Sequence, residues 1–110
     1  FDIVNENNNL FNQEGSRMGE KKQVHIYLSG KVQGVGFRAF IRRNASSLGV
    51  NGWAKNLHDG RVECVFSGDV NKVDKLIKKV KKGPRLARVK DIDIEKMEYE
   101  NKYSNFEIRF

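Results

Sequence analysis

Residues 50–67, VNGWAKNLHDGRVECVFS, contain the pattern that decides the fold. Val50 to Lys55 and Arg61 to Ser67 are predicted to be strands, and apolar residues alternate with polar ones along the second. Between them, Asp59-Gly60 predicts a tight hairpin turn, because this dipeptide readily adopts positive φ angles. The two strands are therefore expected to run antiparallel.

One helix and one strand are predicted before this hairpin. Apolar residues recur at helical spacing ahead of Gly49, which stands where a C-cap glycine belongs: Phe37, Phe40, Ile41, Ala45 and Leu48. Further upstream, Gln23 to Ser29 alternates apolar and polar residues, as a half-buried strand does.

A second helix and two more strands are predicted after the hairpin. The helix carries apolar residues at Val73, Leu76, Ile77 and Val80 and ends at Gly83-Pro84. The fourth strand is marked by Ile92 and Ile94, and the fifth by Phe106, Ile108 and Phe110.

The order of these elements predicts an α+β sandwich of ferredoxin-like type. It is βαββαβ plus a fifth strand, an antiparallel sheet with two helices on one face. Each helix has a single apolar stripe and each strand a single apolar face, which suits a structure of two layers.

The 110 residues are enough for one domain, which we place at residues 21–110. Residues 1–20 are rich in Asn and Glu and have no hydrophobic periodicity, so we expect a disordered tail or an added leader joined to a native start at Met18. This stretch lacks the pattern of a signal peptide, and no apolar run approaches the length of a membrane helix. We therefore expect a cytoplasmic protein without a membrane partner.

The net charge is +7, and it is unevenly distributed. Residues 1–17 carry −2, from three acidic side chains and one arginine, which leaves +9 on the rest of the chain. A positive field favours anionic partners, namely phosphorylated metabolites, nucleic acid or an anionic surface.

The single cysteine, Cys64, excludes a disulfide within the chain and a metal cluster built on cysteines. We interpret it as a packing residue of the third strand, because neither histidine has a spacing that suggests a base for a cysteine nucleophile.

Residues Gly30 to Gly36, GKVQGVG, form a loop between the first strand and the first helix, which we call the glycine loop. Glycines permit conformations in which successive backbone N–H groups converge, and the start of a helix adds unpaired donors and partial positive charge. Arg38 lies in the first turn, where its planar guanidinium can bind two oxygens of the same anion. The loop is therefore predicted to bind an anion such as phosphate.

Two other interpretations of this region are less favoured. Gly34, Gly36 and Ala39 match the dinucleotide-binding pattern, but the following strands form a hairpin and the chain is too short for that fold. The run from Gly34 to Phe40 also resembles an RNA-recognition signature, yet its aromatic residues fall on a helical stripe.

From its spacing alone, Asn56 is better explained by turn chemistry than by catalysis.

The glycine loop followed by Phe37-Arg38, together with Gly52 to Glu63, GWAKNLHDGRVE, resembles the two signature motifs of acylphosphatases. The resemblance extends over about residues 22–110 and includes Gly83-Pro84 and the closing Phe106 to Phe110. It departs at Arg85, where relatives often have a second proline.

The resemblance implies an enzyme that hydrolyses the carboxyl-phosphate bond of acyl phosphates to a carboxylate and inorganic phosphate. It implies that Arg38 binds the phosphate together with the backbone amides of the loop, and that Asn56 orients the attacking water. The loop positions are Gln33, Gly34, Val35, Gly36 and Phe37. No metal or organic cofactor is implied, and His58, a turn residue, is expected to be solvated, with the substrate phosphate accepting the proton of the water.

Two rival functions remain open at this point. A nucleic-acid-binding module would use the basic residues between Lys78 and Arg88, but no aromatic residues are interleaved there for base stacking. A regulatory or carbamoyl-handling domain is the second rival. We expect instead a monomeric enzyme whose partners are small acyl phosphates and inorganic phosphate, with no nucleic acid.

Overall fold

The computed structural model of the protein describes residues 19–110. In chain order the elements are β1 (Lys21–Lys31), α1 (Phe37–Leu48), β2 (Asn51–Asn56), β3 (Val62–Asp69), α2 (Val70–Lys82), β4 (Arg88–Met97) and β5 (Phe106–Arg109). The predicted tail at residues 1–20 falls almost wholly outside the described residues, as does Met18, so that interpretation stays a prediction.

The five strands form one sheet in the order β4-β1-β3-β2-β5. Strand β1 pairs antiparallel with β3 and β4, and β2 pairs antiparallel with β3. The predicted ferredoxin-like fold is confirmed, with one difference in detail: β5 joins β2 in parallel, so the sheet is mixed and not antiparallel throughout. A tight turn forces the two strands that it joins to run antiparallel. Strand β5 follows a longer connection, so its direction was not fixed in this way.

Both helices lie against the same face of the sheet and contact each other. Alternate residues of β1 are buried there, and the apolar stripe of α1 is buried at Phe37, Ile41 and Ala45. The stripe of α2 is buried at Val73, Leu76, Ile77 and Val80, as its spacing predicted. The core therefore lies between one sheet face and two helices.

Several element ends differ from the predicted ones. Strand β1 runs on to Lys31, because Gly30 and Lys31 continue the pairing with β4 beyond a register shift after Ser29. Helix α2 begins at Val70, three residues before the first apolar residue of its stripe. Hydrophobic periodicity does not show which residues pair with a neighbouring strand, nor where the first turn of a helix begins. The end of β1 and the start of α2 were therefore not predicted.

The direction of the strands brings three chain segments to one end of the sheet. Because β1 and β2 are both antiparallel to β3, they run in the same direction, and β5 runs parallel to β2. The glycine loop after β1, the hairpin after β2 and the end of β5 therefore meet at the same end. The register places Leu28 of β1 opposite Val62, which in turn lies opposite Asn56.

Among residues 19–110, no helix is both long enough and apolar enough to span a membrane.

Candidate active site

The glycine loop turns sharply at two glycines. Gly34 has φ 73° and Gly36 has φ 75°, both in the left-handed region that side chains with a Cβ rarely adopt. Gly36 is also the N-cap of α1. Left-handed residues of this kind allow neighbouring N–H groups to point to a common centre, which is the geometry of an anion-binding concavity.

The N-terminus of α1 is not capped by a side chain, and its first turn contains no acidic residue. The N–H of Phe40 donates to the carbonyl of Gly36 at 3.0 Å. Earlier in the chain, the N–H groups from Gly34 to Arg38 donate no hydrogen bond to any group within residues 19–110. These donors, with the positive end of the helix dipole, are free to bind an anion.

Arg38 reaches from the first turn of α1 to the end of β5. Its Nη1 donates to the carbonyl of Arg109 at 3.1 Å, and its guanidinium carbon lies 4.8 Å from the centre of the Phe110 ring. The side chain is half-buried. Its guanidinium is thus held against the end of β5.

A cavity of about 220 Å³ brings the predicted site residues together. The loop residues Gln33, Gly34, Gly36 and Phe37 line it, as do Arg38 and Asn56. Of the loop residues named from the sequence, Val35 alone is not among the residues lining this cavity, and its side chain packs against the core. Val32, Ala39, Ile108 and Phe110 complete the wall.

Asn56 is the last residue of β2 and lies opposite Val62 of β3. Its side-chain amide makes no hydrogen bond within residues 19–110, so its donors and acceptor are available to a water molecule. The turn is stabilised elsewhere: the carboxylate of Asp59 accepts from the N–H of Arg61 at 3.1 Å. Turn chemistry therefore belongs to Asp59, and it does not account for Asn56.

The side chain of Gln33 makes contacts that sequence reasoning missed. Its Nε2 donates to the carbonyl of Leu57 at 2.7 Å and to the carbonyl of Arg61 at 2.9 Å. The glycine loop is thereby bonded to both sides of the hairpin that follows Asn56. The motif placed Gln33 in the loop, but no local pattern indicates a partner 24 or 28 residues further along the chain.

Phe110 was also missed as a site residue. It was interpreted from the sequence as part of the fifth strand, yet β5 ends at Arg109 and residue Phe110 is 94% exposed. Phe110 lines the cavity described above and also a second one, of about 300 Å³, formed with Lys55, Asn56, Leu57 and His58. Only the pairing of β5 with β2 brings it there.

The two other titratable residues considered from the sequence, His58 and Cys64, do not line the cavity that contains Arg38 and Asn56. His58 is exposed and lines the second cavity. Cys64 is fully buried in β3, and burial raises the pKa of its thiol well above the ordinary value. Within residues 19–110 there is no group of three His, Cys, Asp or Glu side chains that could hold a metal ion.

Comparison with known proteins finds that this chain is similar to acylphosphatases. The family model for acylphosphatase matches residues 24–108. An acylphosphatase of Archaeoglobus fulgidus is 48% identical over 87 residues, which cover 79% of this chain and 97% of that protein. One from Syntrophobacter fumaroxidans is 40% identical over 91 residues, covering 83% and 94%.

The fold gives the same result as the sequences. The crystal structure of acylphosphatase from Bacillus subtilis matches with a TM-score of 0.78 at 35% identity, covering 81% of this chain and 99% of that one. The residues matched by the family model, 24–108, contain most of β1 and β5, the elements between them, and every residue lining the cavity except Phe110.

Proposed function

Because the chain belongs to the acylphosphatase family, we propose that the glycine loop, Arg38 and Asn56 form the active site in which it hydrolyses acyl phosphates. The products are a carboxylate and inorganic phosphate. One observation carries the assignment of residues: Arg38 of α1, Asn56 of β2 and the unpaired N–H groups of the loop all border the same cavity.

In this proposal the N–H groups from Gln33 to Phe37 and the guanidinium of Arg38 hold the oxygens of the phosphoryl group. A cation near a helix N-terminus is unfavourable by about 0.3–1 kcal/mol, and a bound phosphate dianion reverses the sign of that interaction. The loose transition state of phosphoryl transfer spreads charge over the equatorial oxygens, so fixed donors around them stabilise it.

Asn56 orients the attacking water. Its amide can accept a hydrogen bond from water and donate one to a phosphoryl oxygen at the same time, which aligns the water with the leaving carboxylate. Among residues 19–110, no Asp or Glu side chain lines this cavity, and His58 lines the second cavity instead. The phosphate of the substrate therefore accepts the proton of the water.

The test is hydrolysis of acetyl, carbamoyl and benzoyl phosphate by the parent enzyme and by two variants. Arg38→Ala should lose about 10²–10³ in rate and also bind inorganic phosphate more weakly, because it removes a donor to the transition state. Asn56→Ala should lower kcat by a similar factor and change KM less.

Arg42→Ala is the matched control for Arg38→Ala, because Arg42 is exposed one turn further along α1 and does not line the cavity. Parent activity in Asn56→Ala would contradict the water-orienting role. Unchanged phosphate affinity in Arg38→Ala would contradict the role of the guanidinium.

We further propose that the enzyme acts as a cytoplasmic monomer on small acyl phosphates, without a nucleic-acid or membrane partner. All groups assigned to the reaction come from one chain, which supports a monomer. The lysines of α2 project from a helix whose buried stripe is wholly apolar, which supports a solvated face. Light scattering of the purified protein and salt-dependent oligonucleotide binding test these two points.

A further inference from the structure

We propose that the side chain of Gln33 is a positioning residue, which fixes the distance between the glycine loop and the water-orienting Asn56. The inference rests on the proposed function, since it assigns a role to a group that acts through Asn56. It differs from the role given to Gln33 above, which concerns only its backbone N–H.

The first observation is that the Gln33 amide spans two separate parts of the site. Both of its donors are used, one on the carbonyl of Leu57 and one on the carbonyl of Arg61, at 2.7 and 2.9 Å. Leu57 directly follows Asn56, so one bond is made to the residue next to the proposed water-orienting group. Gln33 in turn directly precedes Gly34, where the loop turns.

The second observation is that the hairpin is closed without Gln33. The N–H of Leu57 donates to the carbonyl of Arg61 at 2.8 Å, and the N–H of Gly60 donates to the carbonyl of Leu57 at 3.2 Å. Each of the two carbonyls thus already accepts a backbone hydrogen bond. The Gln33 amide adds a second bond to each of them, which joins the hairpin to the loop and is not required to form the turn.

The third observation is that the sheet holds only the first two residues of the glycine loop. The pairing of β1 with β4 ends at Lys31, and its pairing with β3 ends at Leu28. Val32 to Gly36 therefore have no strand partner within residues 19–110. The Gln33 amide is the side-chain link that ties this unpaired segment to the end of β2, where Asn56 lies.

In the reaction, the loop sets the position of phosphorus and Asn56 sets the position of the water. A shift of about 1 Å between attacking atom and target can cost on the order of 10²-fold in rate. Holding the hairpin against the loop therefore affects the chemical step, while the phosphate-binding groups stay on the loop and on α1. Because the groups that bind phosphate are separate from those that position the water, loss of the Gln33 amide should lower kcat more than it weakens binding.

The experiment uses Gln33→Leu, which removes both donors and keeps a similar size. We expect kcat for benzoyl phosphate to fall about 10- to 100-fold, with KM and the inhibition constant of inorganic phosphate changed by less than about threefold. Gln33→Met, which keeps the length of the side chain without a donor, should show the same changes in kcat, KM and inhibition constant. It replaces Gln33→Leu if that variant does not fold, as judged by urea unfolding.

A double-mutant cycle separates positioning from a merely structural role. If Gln33 acts through Asn56, Gln33→Leu should change the residual rate of Asn56→Ala by less than about twofold, because the water is no longer held. A structural role would lower the urea midpoint and reduce the rate equally in both backgrounds. That result, or a parent-like kcat for both Gln33 variants, would overturn the inference.

The two proposals fail in different ways. A parent-like rate in Asn56→Ala alone would overturn the proposed role of Asn56 and this inference with it. A slow Asn56→Ala combined with the same loss from Gln33→Leu in both backgrounds would overturn the inference alone.

Discussion

The guanidinium of Arg38 lies over the ring of Phe110, with its central carbon 4.8 Å from the ring centre. Its Nη1 also donates to the backbone carbonyl of Arg109 at 3.1 Å. The proposed phosphate-binding cation is thus held by the two residues that follow one another at the end of β5. Residue Phe110 is 94% exposed, so it contributes little to the core.

Replacing this ring should weaken substrate binding without unfolding the protein. A cation–π contact at an exposed position is worth about 0.5–1 kcal/mol. Phe110→Ala should therefore raise KM about two- to fivefold, with kcat changed less, as Arg38 becomes less ordered before substrate binds. Steady-state kinetics with benzoyl phosphate measure this change. Phe110→Tyr keeps the ring and is the control, and an equal rise in KM there would refute the contact with the ring as the cause.

His58→Ala should leave kcat within about threefold of the parent value. General base catalysis typically contributes about 10²–10⁴-fold, so loss of a true base would be evident. The exposed position of His58 in the second cavity agrees with a solvated side chain. Single-turnover rates across pH 5–8 check the prediction. A loss of 10²-fold or more would show that His58, and not the substrate phosphate, takes the proton of the water.

Gly52→Ala should prevent folding or lower stability severely. Gly52 lies in β2 with φ 138°, and a Cβ there would come within 1.9 Å of the carbonyl oxygen of Val65. The matched variant is Gly60→Ala, where φ is 98° and no atom lies within 4 Å of the added Cβ. The latter should cost only about 1–2 kcal/mol of backbone strain. Urea unfolding of both variants gives the comparison, and equal losses would show that the clash with Val65 is relieved.

Cys64 should be unreactive in the folded enzyme. Burial raises the pKa of its thiol far above neutral pH, so the nucleophilic thiolate is scarcely populated, and the sulfur is also shielded from reagents. A disulfide reagent such as dithionitrobenzoate should label one thiol per chain in denaturant and none in buffer. Rapid labelling of the native protein, or inhibition by the reagent, would contradict the packing role predicted from the sequence.

Much of the fold follows from local patterns. The stripe that became buried on α1 was visible as apolar residues at helical spacing, and Gly49 ends that helix in the left-handed conformation, as its position predicted. The turn at Gly60 has the positive φ expected of Asp-Gly. Periodicity and glycine positions depend on neighbours a few residues away, and such information is present in the sequence.

Local patterns did not indicate the parts of the site that depend on partners far along the chain. Asn56 was assigned a water-orienting role only through resemblance to a family, because its own spacing favoured a turn. The bonds of Gln33 to residues 57 and 61 had no local signal at all.

The sequence by itself determined which segments become strands and helices and where the glycine loop bends, since each is a property of a few consecutive residues. The tertiary structure alone decided that Arg38, Asn56 and Phe110 border one cavity. Their meeting depends on β1, β2 and β5 running in one direction, and strand direction and register are set by pairing between segments that the sequence keeps apart.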